Sequence, residues 1–465
     1  MKTVKTVVKI FLFLFVLVLV CQREYNVLSW KDSDGILSLY NSKENSIDVL
    51  FTGSSHSFCT VNTGILWEEY GIAAKDIADG GQPLASTYYY LKEALKTQHP
   101  EIVFVELYGI NISYLALTDG NIYRNTLNMK WSLDYLNNRN SVIDAIGSKY
   151  KTEENYDDIV KGMLYKFPVI HTRYSELTEN DYKQNNEMLR FLSNWTTKAY
   201  DKPVFDNSVG TLSEKQISIL DDIYNLSREE NFKLIFWVAP YVVNEDAAKI
   251  YNALEKYADE KNIDMYNFLK LADQINFDFT ADMRNESVYG SHVNNFGSMK
   301  VTRYLGDLLR SVYGVPDRSA DPLYAEYERM GKEWDLIKAQ HDLETVDNFK
   351  DFMTTANNDL FDTTVYFFNY HEAGLNEELI SFLNEMKTNE EGLFTNAQYN
   401  NISKVWGISD RYKLIVKDHI ITLYDGTETV QIPACDAYVI TVDKINGKYS
   451  KRMAFTFSED KYIKK

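Results

Sequence analysis

The sequence is poor in cysteine and has no excess of positive charge. Its three cysteines, Cys21, Cys59 and Cys435, are too few and too scattered for a disulfide scaffold or a C-x-x-C metal site. Lys and Arg total 49 against 67 Asp and Glu, a net charge of −18, so no basic field exists to neutralise a phosphate backbone. Nucleic acid is therefore not an expected partner. No His, Asp and Glu cluster has metal-ligand spacing, and no glycine-rich loop matches a nucleotide site, so neither metal nor cofactor is expected. Gly-x-Ser-x-Gly does not surround any candidate nucleophile, which argues against an α/β-hydrolase elbow. Internal repeats and low-complexity tracts are also missing. What remains is 465 residues, 45 % apolar and 14 % aromatic, enough for packed cores in two or three domains.

The N-terminus carries the first positive signal. Lys2, Lys5 and Lys9 precede an unbroken apolar run from Ile10 to Cys21, followed by Gln22, Arg23 and Glu24. The pattern is that of a secretory signal or a signal anchor. The run is short against the roughly 20 residues that span a bilayer, unless Val7 and Val8 join it and Lys9 snorkels. No A-x-A cleavage site follows. Val18-Leu19-Val20-Cys21 has the outline of a lipoprotein box, but Val20 stands where a small residue is needed. An uncleaved anchor over residues 1–21 is favoured over a cleaved signal or a lipoprotein. The lysines place the rest of the chain outside the cytoplasm, in a single-pass arrangement.

Residues 22–45 read as a polar stalk. Ile47, Val49, Leu50 and Phe51 then form a short apolar run ending in Thr52-Gly53-Ser54-Ser55, the pattern of a buried parallel strand and a tight turn. Leu84, Tyr88, Leu91 and Leu95 share a helix face, and Ile102 to Val105 is a second buried strand. Residues 115–200 are polar, aromatic-rich and read as a mostly helical insertion. Ser213-Glu214-Lys215-Gln216 is a capping box opening a helix with Ile217, Leu220 and Tyr224 inward. Leu234 to Val238 is a third strand, stopped by Pro240. A helix covers Ala247 to Lys261, and another starts after Gly297. Strands alternating with helices imply an α/β fold, a parallel sheet covered on both faces, over residues 46–315. Residues 316–345 read as a charged helical connector. Residues 346–465, with a strand at Thr364–Phe368, a helix at Glu377–Met386 and β-rich segments from Arg411, read as a smaller α+β accessory domain.

The sharpest chemical feature is Gly53-Ser54-Ser55-His56. A serine just past the C-terminal end of a parallel strand sits where α/β folds bind ligands, and glycine permits the tight turn that exposes it. A serine nucleophile needs a base. His56 is adjacent in sequence and poorly directed at Ser55. His292, in Gly290-Ser291-His292-Val293-Asn294 just before the last helix of the domain, can reach the same end of the sheet. Ser55 with His292 is the best pair by role. The plainer alternative is a strand-turn serine and a surface histidine. Cys59 reads as a small buried residue, Trp237 as core, and Trp67 and Trp195 as candidates for lining a cleft.

Asn45 to His56 resembles the first block of the SGNH/GDSL hydrolase superfamily, with Gly53-Ser54-Ser55 in place of Gly-Asp-Ser. The membrane-anchored bacterial branch related to DltD, the teichoic-acid D-alanylation protein, is similar in this. Gly80-Gly81-Gln82 before the Tyr88–Lys92 helix, Pro100 to Glu106, Phe167-Pro168, His171 to Thr178, and His292 to Gly297 resemble that branch too. The likeness spans residues 45–315 and rests on the order and spacing of these pieces.

The resemblance implies a three-layer SGNH-type fold with Ser55 as nucleophile and His292 as its base. It implies an oxyanion hole built from the Ser55 N–H, the Gly81 N–H and a side-chain amide, with Ser54 beside the substrate. Gln82 and Asn111 are equal candidates for the amide; Asn111-Ile112-Ser113 also matches a glycosylation sequon by chance. Each such donor is worth ~3–4 kcal/mol in hydrolases. The family places its triad aspartate three residues before the histidine, where this sequence has Tyr289. Asp282, Glu286 or Asp278 is then expected to orient the imidazole, or the pair works as a dyad. Asp282 is the leading candidate. His171, Arg173 and Glu176 read either as a polar wall near the site or as a helix-start network. In the C-terminal region, Val365–Phe368, Leu375–Leu379 and Ile445–Ser450 resemble the interleukin-like EMT inducer type of domain, which implies carbohydrate binding or presentation; the plainer alternative is a packing role.

Two function classes follow. One is an extracytoplasmic serine esterase or O-acyltransferase-like protein acting on an acylated cell-envelope glycan or teichoic-type polymer, alongside a membrane-bound O-acyltransferase. The other is a hydrolase fold that has lost turnover and serves as a binding subunit. Removing the three N-terminal lysines leaves −21 on the part expected outside. That charge repels bare polyanions and makes neutral acylated glycans at least equal candidates.

Overall fold

The computed structural model describes residues 2–28, 34–112, 119–150, 160–163, 172–175, 177, 189–204, 206–287, 291–368, 375, 377, 380–381, 394–396, 401–407, 413–417, 420–424, 429–445, 447 and 449–465. The described residues divide into two units, Met1–Gly331 and Lys332–Lys465.

The first unit begins with α1 (Lys2–Leu28) and α2 (Asp34–Leu39). Val8, Ile10 to Leu17, Leu19 and Val20 are exposed along α1. Among the described residues no helix is long and apolar enough to cross a membrane. The stretch expected as a stalk is not free chain. Leu28, Ile36 and Leu39 are buried, because Ile36 and Leu39 recur three apart and share a helix face. Gly35 lies so close to the Ile77 and Ala78 carbonyls that a Cβ would come within 2.5 Å of the Ala78 oxygen.

The sheet follows as β1 (Val49–Thr52), β2 (Ala74–Asp76), β3 (Ile102–Glu106), β4 (Lys233–Val238) and β5 (Asp264–Asn267). All pair in parallel, in the order β2-β1-β3-β4-β5. Between β1 and β2 lie α3 (Ser55–Thr60) and α4 (Thr63–Tyr70), and α5 (Leu84–Ala94) leads to β3. The described parts of the insertion hold α6 (Asp119–Leu127) and α7 (Leu133–Tyr150), whereas residues 191–200 run without helix. Next come α8 (Glu214–Glu229), α9 (Glu245–Lys261), α10 (Phe268–Leu271) and α11 (Asn295–Ser311).

Alternation along the strands sends side chains into two cores. Leu50, Val103, Val105, Leu234, Phe236 and Val238 pack with α2, α5, α8 and α9. Val49, Phe51, Ile102, Phe104, Ile235 and Trp237 pack with α4, α10 and α11. This is the three-layer α/β arrangement expected, and Trp237 is fully buried in it. The helices start where their caps dictate. Ser213 accepts from the Gln216 N–H and Gln216 returns to the Ser213 N–H, a closed capping box. Asn294 accepts from the Gly297 N–H, so α11 begins at Asn295, two residues before the glycine.

β2 and β5 were not anticipated. β2 has three residues, one of them Lys75, and β5 is Asp-Met-Tyr-Asn without a β-branched residue. Both lie at sheet edges, where pairing rather than local propensity makes the strand. Their order puts the chain reversal between β1 and β3, the position at which open parallel sheets form a crevice beyond the strand ends.

α12 (Tyr327–Thr345) carries the chain into the second unit, within the 316–345 stretch expected as a helical connector. There α13 (Phe349–Ala356) packs on a six-stranded antiparallel sheet, ordered β14-β13-β12-β6-β8-β7, with β6 at Phe361–Phe367, β7 at Phe394–Asn396, β8 at Asn401–Gly407, β12 at Ala437–Asp443, β13 at Tyr449–Ser458 and β14 at Lys461–Lys464. β9 (Lys413–Lys417), β10 (Ile420–Tyr424) and β11 (Thr429–Ile432) form a second antiparallel sheet. Most of the helix expected at Glu377–Met386 lies outside the described residues.

Candidate active site

β1 is followed by Gly53, whose φ is +143°. A Cβ there would fall 2.5 Å from the Glu106 Cβ, so glycine lets the turn pass close to the end of β3. Ser54 then caps α3, and Ser55 is its first residue. The Ser55 hydroxyl stays partly exposed while Ser54, His56 and Ser57 are buried.

His292 comes from 237 residues away in sequence, and its Nε2 lies 2.8 Å from the Ser55 Oγ. The loop before α11 brings it there. Residues 282–286 run antiparallel to 291–294: Met283 bridges Val293, the Arg284 N–H donates to the His292 carbonyl at 3.0 Å, and the Asn294 N–H donates to the Asp282 carbonyl at 2.9 Å. The buried Arg284 guanidinium locks the pair by donating to the Val293 carbonyl at 2.7 Å and to the Leu192 carbonyl.

This pairing sets Glu286 beside the histidine. Its Oε1 lies 2.9 Å from His292 Nδ1 and also accepts the His292 main-chain N–H. The Glu286 carbonyl is held from the other side by the Lys198 ammonium at 2.9 Å and the Tyr200 hydroxyl at 2.6 Å. Burial pushes the Glu286 carboxyl up, but the His292 contacts outweigh it and hold the group below its ordinary value. An ionised carboxylate on Nδ1 makes that nitrogen the N–H of a neutral ring, which leaves the Nε2 lone pair facing Ser55. The arrangement can take a proton from the hydroxyl and stabilise the imidazolium that results.

Asp282, the leading expectation for the orienting acid, is placed elsewhere. Its Oδ2 accepts from the Lys300 ammonium and from the Asp278 N–H, each at 2.7 Å. Asp282 lies on the turn that begins the antiparallel pairing, so its carboxylate is committed to the base of α11 and not to the imidazole. Asp278 accepts from Thr280. Glu286, which the sequence reading places behind Asp282, is the acid on His292. Tyr289 lies outside the described residues.

Ser54 also departs from its expected place beside the substrate. Its hydroxyl donates to Glu106 Oε2 at 2.7 Å and its side chain is fully buried. Gly81 turns at φ +61° in the 79–82 loop, which is tied to the nucleophile turn by the Asp79 N–H donating to the Gly53 carbonyl at 3.3 Å. Gln82 is buried in that loop; its Oε1 accepts the Asp79 N–H at 3.1 Å, and its Nε2 has no hydrogen-bond partner among the described residues. Asn111 is exposed at the end of a 3-10 turn over Tyr108–Ile110. Cys59 is buried, and burial pushes its thiol up to about 12, too high for a nucleophile. Trp195 packs edge-on to Phe296, ring centres 5.2 Å apart, beside the start of α11. Arg173 donates to the Leu28 carbonyl at 2.6 Å, whereas His171 and Glu176 lie outside the described residues.

Sequence reasoning missed Glu106. It ends the run Ile-Val-Phe-Val-Glu, is 0 % exposed, and accepts from the Ser54 N–H at 3.2 Å and the Tyr108 N–H at 2.6 Å. Burial pushes it up to about 7 against the pull of those donors. A charge closing an apolar strand was the one available signal.

No family model matches the chain, and no curated protein matches it in sequence. Among solved structures it is similar to a protein of Lactobacillus plantarum, at 9 % identity over 58 % of this chain and 98 % of that one, with a TM-score of 0.28. It is similar to a proposed acylhydrolase of Bacteroides fragilis, at 11 % identity over 61 % and 97 %, TM-score 0.27. A third is an acetyl xylan esterase of the rumen bacterium Butyrivibrio proteoclasticus, at 11 % identity over 58 % and 64 %, TM-score 0.24. At these scores neither fold nor activity transfers to this chain.

Proposed function

We propose that this protein cleaves or transfers an acyl group through an acyl-serine intermediate on Ser55. The observation that carries the reading is the line Ser55 Oγ, His292 Nε2, His292 Nδ1, Glu286 Oε1, with contacts of 2.8 and 2.9 Å. His292 takes the Ser55 proton as the oxygen attacks the acyl carbonyl. The imidazolium returns that proton to the leaving alcohol. A second oxygen nucleophile then repeats the cycle: water gives an esterase, and a sugar or polyol hydroxyl gives a transferase. The oxyanion faces the Ser55 and Gly81 N–H groups and an amide, for which the buried Gln82 Nε2, without a partner among the described residues, is a better candidate than the exposed Asn111.

The finer parts of the reading belong with it. The apolar side chains exposed on α1 hold the chain at a membrane, with the catalytic unit outside the cytoplasm. The substrate is an ester on a cell-envelope glycan or teichoic-type polymer, and the membrane-bound partner is an O-acyltransferase. The rival reading, a binding subunit without turnover, was motivated by Tyr289 at the usual acid position. Glu286 supplies an acid from a different position, which favours the enzyme.

The test is labelling of the full chain with a fluorophosphonate and hydrolysis of p-nitrophenyl acetate. Both are expected to disappear in Ser55→Ala and to fall by about 10³-fold or more in His292→Ala. Folded wild-type protein that neither labels nor turns over supports the binding subunit instead.

A further inference from the structure

His56 has no role in the proton path just described. It is 1 % exposed. The ring centre stands 4.6 Å from that of His292, 4.0 Å from Tyr108 and 5.0 Å from Tyr241. Its Nε2 lies 3.2 Å from the carbonyl of Ser291, the residue immediately before the base. A carbonyl only accepts, so the proton of the neutral ring is on Nε2. Its Nδ1 faces the Ser54 hydroxyl at 3.4 Å, and Ser54 donates in turn to the buried Glu106.

We propose that His56 is a positioning residue for His292, fixing the base by one hydrogen bond to the Ser291 carbonyl and one ring face against its imidazole. This rests on the reading of Ser55 and His292 as nucleophile and base. Ser291 is held from a second direction, since its hydroxyl accepts the Val242 N–H at 3.0 Å. The peptide that carries the base is therefore pinned to the first turn of α3, just past β1, through His56 and to the loop after β4 through Val242. Both anchors follow within a few residues of a central strand, which supports a site that must be held within fractions of an ångström.

The role requires a neutral His56. A second imidazolium against His292 would oppose the charge the base acquires in the reaction. Burial holds His56 well below its ordinary value, and His292 and Arg284 push the same way against the Ser291 carbonyl. Tyr108 and Tyr241 face it as neutral rings. Glu106 is reached only through Ser54.

The experiment compares His56→Phe with His56→Gln in the full chain. Phenylalanine keeps the ring stack and loses the donor; the glutamine amide keeps a donor near Nε2 and loses the stack. The readout is the rate of fluorophosphonate labelling of Ser55 between about pH 5 and 9. His56→Phe is expected to label about 10–100-fold more slowly, with partial rescue by His56→Gln. A wild-type rate in His56→Phe overturns the proposal, as does a Phe variant faster than the Gln variant, because packing alone would then suffice. Histidine nitrogen NMR on the wild-type chain covers variants that do not fold. A neutral, Nε2-protonated His56 through that pH range supports the proposal, and a ring that titrates within it or carries its proton on Nδ1 overturns it. If the wild type does not label at all, the enzyme reading fails separately. His56 is then judged by the His292 ring signals, which move in His56→Phe if the two rings are coupled and stay put if they are not.

Discussion

Replacing Glu286 by glutamine separates the two jobs the carboxylate performs. One oxygen, Oε1, accepts both the Nδ1–H and the main-chain N–H of His292. The glutamine oxygen can serve both donors, so the tautomer that leaves Nε2 free for Ser55 is preserved. What disappears is the negative charge that meets the imidazolium. Two unit charges at about 4 Å in an effective dielectric of about 20 interact by roughly 4 kcal/mol. The Glu286 side chain is 32 % exposed, and that solvent contact screens the pair. About half of the interaction, ~2 kcal/mol or ~30-fold in kcat, is the expected loss. Glu286→Ala also removes the acceptor that selects the tautomer, so a fall of about 10³–10⁴-fold is expected there. The assay is p-nitrophenyl acetate turnover, normalised to sites titrated with fluorophosphonate so that misfolded chains do not count. Glu286 is held below its ordinary 4.5, so the wild-type charge is present above that pH and lost as the pH falls through the lowered value. The Gln variant is therefore expected to lag by a constant factor at neutral pH. Equal rates in wild type, Glu286→Gln and Glu286→Ala, or an equal loss in Asp282→Asn, would refute the reasoning.

Asp282 and Lys300 form an ion pair in which the Asp282 side chain is only 2 % exposed but Lys300 is 36 % exposed, so Asp282→Ala is expected to lower stability by about 1–2 kcal/mol, chiefly through the unmet Asp278 N–H. Urea unfolding measures the loss, and normalised turnover of the folded fraction is expected to stay within about threefold of wild type, since the residue does not touch the imidazole. Gly53→Ala meets both a φ of +143° and a contact 2.5 Å from the Glu106 Cβ, so it is expected to cost at least about 3 kcal/mol or to prevent folding, read by thermal melting. Glu106 and Asp76 have folded values raised to about 7 and about 6 by burial, above their ordinary 4.5 and 3.8. These two groups thus bind protons more tightly in the folded state than in the unfolded chain, and their contribution to stability is expected to be full below their ordinary values and to be lost as pH rises through the raised ones. The loss expected from Glu106 approaches about 3 kcal/mol between pH 4.5 and 7, and Glu106→Gln should flatten that part of a urea midpoint-versus-pH curve.

The layered α/β unit was legible because its three central strands are short, continuous apolar runs. Each core face repeats every second residue, and hydrophobic burial acts on that pattern directly. The capping box at Ser213 was legible for a similarly local reason: side chain and main chain lie three residues apart. Ser55 and His292 were identified by role, one after a strand-ending glycine and one just before a helix. The edge strands β2 and β5 left no such trace, because edge pairing tolerates Lys75 and Asp264. Ile36 and Leu39 were overlooked in a stretch read by its polar residues.

The orienting acid was beyond the sequence. Asp278, Asp282 and Glu286 lie within nine residues of one another, and nothing in their spacing from His292 ranks them. The antiparallel pairing of 282–286 with 291–294 turns Glu286 toward the imidazole and commits Asp282 to Lys300. Whether Ser54 met substrate or core, and whether His56 was idle, were decided by the approach of β1 to β3 at Gly53. Apolar periodicity and capping act within a few residues and are written along the chain. The partner of a polar side chain is set by distances across the fold, which only the packed tertiary structure determines.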